Sequence, residues 1–530
     1  MTTYLGIELG STRIKAVLTD AGGRLAASGG HNWENRFENG VWTYALDDVW
    51  AGLQDAFADL IRDYRSREGD ANAFPQIGCI GISAMMHGYL ALDSQGGQLA
   101  EFRTWRNTVT QDASAELTRE FGFNIPQRWS TAHLYRAICG DEEHVGEIAH
   151  ITTLAGYVHY KLTGQMVLGV GDASGMFPID SAIGDYNAKM AADFDVLAQK
   201  RDVSWRLLDI LPKVLMAGDN AGTLTAEGAR LLDPTGVLKA GTAFCPPEGD
   251  AGTGMVATNS VKPGTGNVSA GTSVFAMLVL ERELTQLYHE IDVVTTPTGK
   301  PVAMVHCNNC TSDLDAWVEV FGQAMALGGV KSDKSERYRM LYEAALKGDA
   351  DGGGLLSCNY LSGEHITGFG AGRPLFARAP DSRFSLQNFM RNLIFSAVAT
   401  LKIGMDILID GENMQLAKLL GHGGFFKTPL VGQKLMAGAL NVPVAVMESA
   451  GEGGAWGIAI LAAYAACKAD GQMLEDYLEQ VVFADADISI VQPVEADVQG
   501  FAAYLEGYKA LLNVERAAIT HLSKGGGGNV

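Results

Sequence analysis

Gly6-Ile7-Glu8-Leu9-Gly10-Ser11-Thr12-Arg13-Ile14-Lys15-Ala16-Val17 carries a β-rich run into a Gly-Ser-Thr turn and out again into a second β-rich run. Asn267-Val268-Ser269-Ala270-Gly271-Thr272-Ser273-Val274-Phe275-Ala276-Met277-Leu278 repeats the pattern around Gly271-Thr272-Ser273. Each stretch predicts a tight hairpin whose tip suits an anion. Glycine permits the positive φ such turns use and lets backbone N–H groups approach a phosphate, and Ser and Thr add hydroxyl donors. One hairpin of this kind is an ordinary turn. Two at matched spacing, one in each half of the chain, predict an internal duplication that clamps a polyphosphate between lobes. No G-x-x-x-x-G-K-[ST] stretch is present, so a nucleotide site here is not of the P-loop class.

At 530 residues, 47% apolar and 19% charged, the chain is long enough for two or more buried cores and too apolar to be disordered. No window reads as an uninterrupted membrane span and the first residues lack the order of a signal peptide, so the expected address is cytoplasmic. Seven cysteines, an odd number and mostly scattered, fit a reducing compartment better than a disulfide framework. Cys307 and Cys310 follow His306 but lack a second ligand pair, so they read as strand end and loop, with metal or redox use second. A formal net charge of −21 disfavours nucleic acid and anionic membrane as partners. It leaves room for a small anion such as ATP, held by local cations, backbone donors and Mg²⁺.

Strands are expected at Tyr4 to Leu9, at Ile14 to Thr19 and from Arg24, joined by the turn Asp20-Ala21-Gly22-Gly23. A helix follows from Leu46, with Val49, Trp50, Leu53, Phe57 and Leu60 near a 3.6-residue period, and Ile77 to Ile82 is a buried strand ending in the loop Ser83-Ala84-Met85-Met86-His87-Gly88. Turn formers over 256–266 mark a boundary between an N-terminal lobe, 1–258, and a C-terminal lobe, 259–520, with 521–530 a flexible tail. Ser385 caps a long helix whose apolar stripe runs from Leu386 to Leu401.

Asp250 lies among glycines at that boundary, with little side chain to cover it. It is either a turn acid bonded to its own backbone or a base that takes the proton of a hydroxyl attacking a γ-phosphoryl group. Glu8, on the strand before the first hairpin tip, needs a partner if buried: Arg13 or Lys15 on one reading, Mg²⁺ on the other. Gly421-His422-Gly423-Gly424, and after a helix Glu448 to Ala455, set glycines ahead of two helices, where bare backbone could flank a base and its phosphates or simply allow close packing.

Taken together and in this order, these stretches resemble the FGGY carbohydrate kinases, members of the actin, Hsp70 and sugar-kinase superfamily, over nearly the whole chain. The matching segments are Gly6 to Lys15, Gly249-Asp250, Ser269 to Ser273, Gly421 to Gly424 and Glu448 to Ala455, with further similarity at Gly156-Tyr157, Leu162-Thr163-Gly164, Asp172-Ala173-Ser174 and Tyr360 to Glu364. The resemblance implies an α/β fold of two ribonuclease-H-like lobes around a central cleft, and Mg-ATP-dependent phosphorylation of a sugar hydroxyl. It gives Asp250 the role of catalytic base and assigns the nucleotide to Gly10, Ser11, Thr12, Arg13, Lys15, Gly271, Thr272, Ser273, Gly423 and Gly424, with Glu8 toward the metal. Met86-His87-Gly88 is similar to the sugar loop of xylulose kinases, and Trp105 and Arg106 fall where sugar contacts follow, alongside Asp250. The partners implied are a ketopentose and ATP, with a homodimer as a family-based possibility.

Four departures bear on this reading. The family usually has Asp where Glu8 stands. Xylulose kinases commonly show Gln at the position of Met85, Asn or Gln and then Asp at Arg106-Asn107, and Asn at Ala251. The last three surround the sugar, so the catalytic machinery carries over better than the sugar's identity. A kinase of another ketose, such as ribulose, or of a polyol is the near alternative. A nucleotide switch without a sugar and a non-catalytic sugar-binding regulator are the distant ones.

Overall fold

The computed structural model describes residues 2–69, 74–447 and 453–522. Two mixed sheets organise the chain, and both follow one plan. In the first, β1 (Thr2–Leu9), β2 (Arg13–Thr19) and β3 (Leu25–Asn32) form an antiparallel meander. The strand β4 (Gln76–Ala84) then adds parallel to β1, and the short β5 (Ala243–Phe244) and β6 (Glu248–Gly249) add parallel to β4. In the second sheet, β7 (Thr265–Ala270) and β8 (Val274–Val279) make the matching hairpin. It continues through β9 (Asp292–Thr295) and β10 (Pro301–Cys307), paired antiparallel, with β10 on β8. The strands β11 (Lys418–His422) and β12 (Val444–Met447) add parallel on the other side of β7, and β13 (Ile488–Val491) closes that edge. The duplication expected from the two hairpin stretches is therefore a repeat of strand order and direction.

Five helices matter for the site. The amphipathic α1 (Leu46–Glu68) buries Val49, Leu53, Phe57 and Leu60 against β2 and β3. A single turn, α2 (Val170–Ala173), and the short α3 (Asp250–Ala257) sit at the cleft. The long α4 (Leu386–Asp406) is capped by Ser385, whose Oγ accepts from the Asn388 N–H at 3.2 Å. With the turn that extends it to Gly411 it is long and apolar enough to cross a membrane, which corrects the expectation that no window is. Since 72% of its most apolar window is buried inside the fold, it is a core helix.

The fifth helix, α5 (Gly453–Cys467), is apolar all round, as a fully buried helix must be. It follows the second sheet in sequence but packs on β1, β2 and β4 of the first, and against α3. Glycines make this possible. A Cβ on Gly6 would lie 2.2 Å from the Ala455 carbonyl oxygen, and one on Gly457 would lie 2.1 Å from that of Thr253. The first sheet thus has α1 on one face and α5 with α3 on the other, and Met255, Val256, Ile458 and Leu461 join a core shared with Val279, Val302 and Leu420 of the second sheet.

Candidate active site

Both hairpins form where the sequence places them. The tip of the first is closed by Gly10 N–H donating to the Arg13 carbonyl at 3.0 Å, and that of the second by Gly271 N–H to Ser273 at 2.9 Å. Neither tip glycine adopts a positive φ, contrary to expectation. What they contribute is absence of bulk: a Cβ on Gly10 would crowd the Arg13 carbonyl at 3.1 Å, and Gly271 borders open space. Ser11, Thr12 and Arg13 face outward, as do Thr272 and Ser273. The first tip is braced from behind by Trp33 Nε1 on the Gly10 carbonyl at 2.7 Å and by Tyr44 Oη on that of Ser11 at 2.6 Å. Thr311 does the same for the second, its N–H reaching the Gly271 carbonyl at 3.0 Å.

Gly423 stands beside the second hairpin's root. Its φ of 98° belongs to the left-handed region, and a Cβ there would lie 2.5 Å from the Ala270 carbonyl oxygen, so only glycine fits. Gly424 is exposed next to it. Of the following glycine-rich stretch, 448–452 lie outside the described residues.

Asp250 is the first residue of α3 and accepts from the Met86 backbone N–H at 3.1 Å through Oδ1. It is open to the cleft while protein closes round it at longer range. This loss of bulk water pushes its carboxyl above the ordinary range, opposed by the N–H groups of Met86, Ala251 and Asp250 itself. The loop that supplies Met86 is held in an uncommon conformation: His87 has φ 68° and Gly88 φ 89°. A left-handed non-glycine residue costs on the order of 1–3 kcal/mol and marks sites where the surroundings over-determine the backbone. Here the His87 ring bonds the Gly175 carbonyl through Nδ1 at 3.0 Å and stacks on Trp129. Burial drives its pKa down to about 3, so the ring is neutral.

Trp105 is 40% exposed and stands at the outer wall. Arg106 lies 3.9 Å over the Trp42 ring and donates to Asn35 Oδ1 at 2.9 Å. Asn107 is buried and spent on Trp42 and Thr104. Arg106-Asn107, which departs from the xylulose-kinase pattern, therefore ties this wall to the Trp42 hairpin.

Glu8 lies opposite Lys15 in the β1–β2 register and accepts from the Ala455 N–H at 3.2 Å. Burial, and then the negative charge of Asp250, push its pKa up to about 7 against the pull of Lys15. A carboxylate whose proton affinity is raised by burial and by a second acid suits a divalent cation, and Mg²⁺ is commonly held by one or two carboxylates with water and phosphate. Among the described residues no group of three His, Cys, Asp or Glu forms a closed cage. Cys307 and Cys310 are free, buried thiols with raised pKa values, at a strand end and the loop after it.

Sequence reasoning missed the acids behind Asp250. Glu248 is fully buried and accepts from the N–H groups of Gly171 (3.3 Å) and Asp172 (2.9 Å). Gly169 and Gly171 leave room for its carboxyl: a Cβ on either would lie 2.2 and 2.5 Å from it. Asp172, also buried, accepts from Thr153 Oγ1 at 2.6 Å, and its Oδ1 has no partner among the described residues. Burial first, then the charge of Asp172, raise Glu248 to about 8; burial, with the charge of Asp250 adding to it, raises Asp172 to about 7. For Asp172 the sequence offered only the family-like stretch Asp172-Ala173-Ser174, with no role attached, and for Glu248 only the pair of glycines flanking Val170, which has no meaning until Glu248 is placed between them.

Two sheets of one plan, each with a Gly-hydroxyl hairpin, and an acid at the cleft beside a strained loop define a two-lobed fold of the sugar-kinase kind. The chain belongs to the FGGY family of carbohydrate kinases: the model of that family's N-terminal domain matches residues 3–242 and that of its C-terminal domain residues 266–466. Across 98% of its length it is 23% identical to a xylulose kinase of Haemophilus influenzae, covering 99% of that protein. Among solved structures, a ligand-bound xylulose kinase from Lactobacillus acidophilus superposes with a TM-score of 0.79 at 18% identity, covering 99% of this chain and 100% of that one. A gluconate kinase from the same organism gives 0.77, also at 18% identity, covering 98% and 100%. At such identities these structures establish the fold. The enzyme class, a carbohydrate kinase, comes from the family itself.

Proposed function

We propose that the chain transfers the γ-phosphoryl group of Mg-ATP to a hydroxyl of a ketopentose, D-xylulose to D-xylulose 5-phosphate being the reading with most support. The observation that carries it is the contact between Asp250 and the Met86 N–H, which puts an acid at a helix start against the loop similar to the sugar loop of xylulose kinases. Asp250 takes the proton of the attacking hydroxyl as its oxygen bonds the γ-phosphorus and the bond to the β,γ-bridging oxygen breaks, releasing ADP. The hairpin tips at Gly10 to Arg13, with Lys15, and at Gly271 to Ser273, with Gly423 and Gly424, hold the phosphates and nucleotide. Met86, His87, Gly88, Trp105 and Arg106 line the sugar side. Mg²⁺ held toward Glu8 would neutralise phosphate charge.

The sequence divides near 258/259 on this reading, supported by the gap between the two matched segments. A cytoplasmic address is supported by the odd, scattered cysteines, which fit a reducing compartment, and a homodimer rests on family resemblance. Because Arg106 and Asn107 serve the Trp42 wall, ribulose is a second reading. Coupled ADP release with Mg-ATP against ketopentoses, ketohexoses, aldonates and polyols tests both. D-xylulose turnover supports the first, ribulose turnover the second, and no sugar-dependent ADP overturns the kinase reading.

A further inference from the structure

We infer that Arg128 and Asp292 are positioning residues that hold the sugar loop and the second phosphate hairpin in register through the strand β9. The inference rests on the kinase reading above and concerns a part of the chain that the catalytic scheme does not use.

Arg128 begins the segment that supports the sugar loop from behind. Its carbonyl accepts from the Gly88 N–H at 3.5 Å, Trp129 stacks against His87, and Ser130 Oγ donates to the Gly88 carbonyl. Its guanidinium leaves this segment and pairs with Asp292 at the start of β9, in the second sheet. Asn124 Nδ2 joins it, donating to Asp292 Oδ1 and to the Ile291 carbonyl, each at 3.0 Å. The other end of β9 is docked on the first lobe as well. The Thr295 N–H reaches Ser174 Oγ at 2.9 Å, and its Oγ1 donates to the Val170 carbonyl at 3.0 Å, on the turn that carries Asp172.

From β9 the connection runs through paired backbone to the nucleotide side. The strand β9 pairs with β10, and β10 pairs with β8 up to Val274 opposite Cys307. Just past β10, the N–H groups of Cys310 and Thr311 bond the carbonyls of Thr272 and Gly271 at 3.0 Å, on the hairpin tip itself. A displacement of the sugar loop is thus passed through Arg128 to a hydrogen-bonded ladder that ends at the second hairpin tip. The side chains of Arg128 and Asp292 are 24% and 12% exposed, which places them apart from the solvent-screened pairs whose removal costs little. Removing one partner leaves the other charge shielded and unpaired.

The test reads coupling between the two ligands in the full-length protein. Calorimetry gives the affinity of a non-hydrolysable ATP analogue with Mg²⁺, with and without the sugar that drives most ADP release, for wild type, Arg128→Met, Asp292→Asn and the charge-swapped Arg128→Asp/Asp292→Arg. Asp292→Asn keeps size and an acceptor for Asn124, so it preserves the fold where Arg128→Met fails, and thermal melts verify this. The expected result is a sugar-dependent affinity change in wild type within the roughly 5–150-fold range of coupled sites. It falls toward onefold in the single variants and is partly recovered in the swap, with sugar KM raised more than ATP KM. Absent coupling in wild type, or undiminished coupling in folded variants, overturns the inference and leaves the kinase reading standing. No sugar-driven ADP release from wild type overturns the kinase reading, and the inference with it.

Discussion

The carboxylate of Glu8 accepts from the Ala455 N–H at 3.2 Å, joining an acid on the first strand to the first turn of a helix 447 positions later. This bond fixes Glu8 toward the cleft and toward Asp250, whose charge it feels.

Glu8→Gln keeps the length and an acceptor for Ala455 but removes the charge. The expected outcome is a rise of about tenfold or more in the Mg²⁺ concentration needed for half-maximal turnover, the equivalent of roughly 1.4 kcal/mol, with a melting temperature in metal-free buffer at about pH 8 no lower than that of wild type, since the buried charge is gone. A Mg²⁺ titration of ADP release checks it, and an unchanged midpoint removes Glu8 from the metal.

Asp250→Asn retains shape and loses the base. A fall in kcat of about 10²–10⁴-fold is expected with sugar and nucleotide affinity largely kept, as general-base removal gives. Near-normal turnover would sink the assignment.

Gly271→Ala separates a phosphate role from a structural one. The position has ordinary φ and open space around a Cβ, so the free protein should melt unchanged. If backbone at this tip bonds phosphate, losing about 0.5–1.5 kcal/mol there weakens ATP by a few-fold to about tenfold. Unchanged ATP affinity in the stable variant argues that the tip is only a turn.

Gly457→Ala does the reverse. Its Cβ would meet the Thr253 carbonyl oxygen at 2.1 Å, where neither backbone can yield without moving α3. Loss of about 1–3 kcal/mol in urea unfolding is expected, and activity should fall because Asp250 begins the displaced helix.

Glu248 gives a pH signature. Its carboxyl goes from 4.5 in its ordinary state to about 8 in the fold, so the folded chain binds more protons than the unfolded one across that window. Stability from this group is complete below about 4.5 and is lost as pH rises through about 8. Asp172 acts in the same direction toward about 7. Melting temperatures of Glu248→Gln should therefore decline less than those of wild type between pH 5 and pH 8; parallel curves would show that Glu248 is not protonated in the fold.

The two hairpins, the helix cap at Ser385 and the exposed position of Asp250 were legible because each depends on a local pattern: turn residues between β runs, a hydroxyl ahead of an apolar stripe, an acid among glycines. The positive φ expected at Gly10 and Gly271 was an over-reading of glycine, whose smallness served instead. Glu248 beside Asp172, and Arg128 across from Asp292, were illegible because each pair is made by long-range folding and leaves no spacing rule along the chain. The apolar run of α4 shows the same limit from the other side, since only its surroundings distinguish a core helix from a membrane span.

The placement of α5 has a consequence for biosynthesis. During translation β1 to β4 emerge early and can pair, yet the part of that sheet's face which receives Ala455 and Ile458 waits for α5, and α3 alone covers only one end of it, until almost the whole chain has left the ribosome. A nascent chain halted after the first sheet exposes its apolar face to chaperones, and an N-terminal half expressed alone inherits the same bare surface. The first half of this protein is finished by the last quarter.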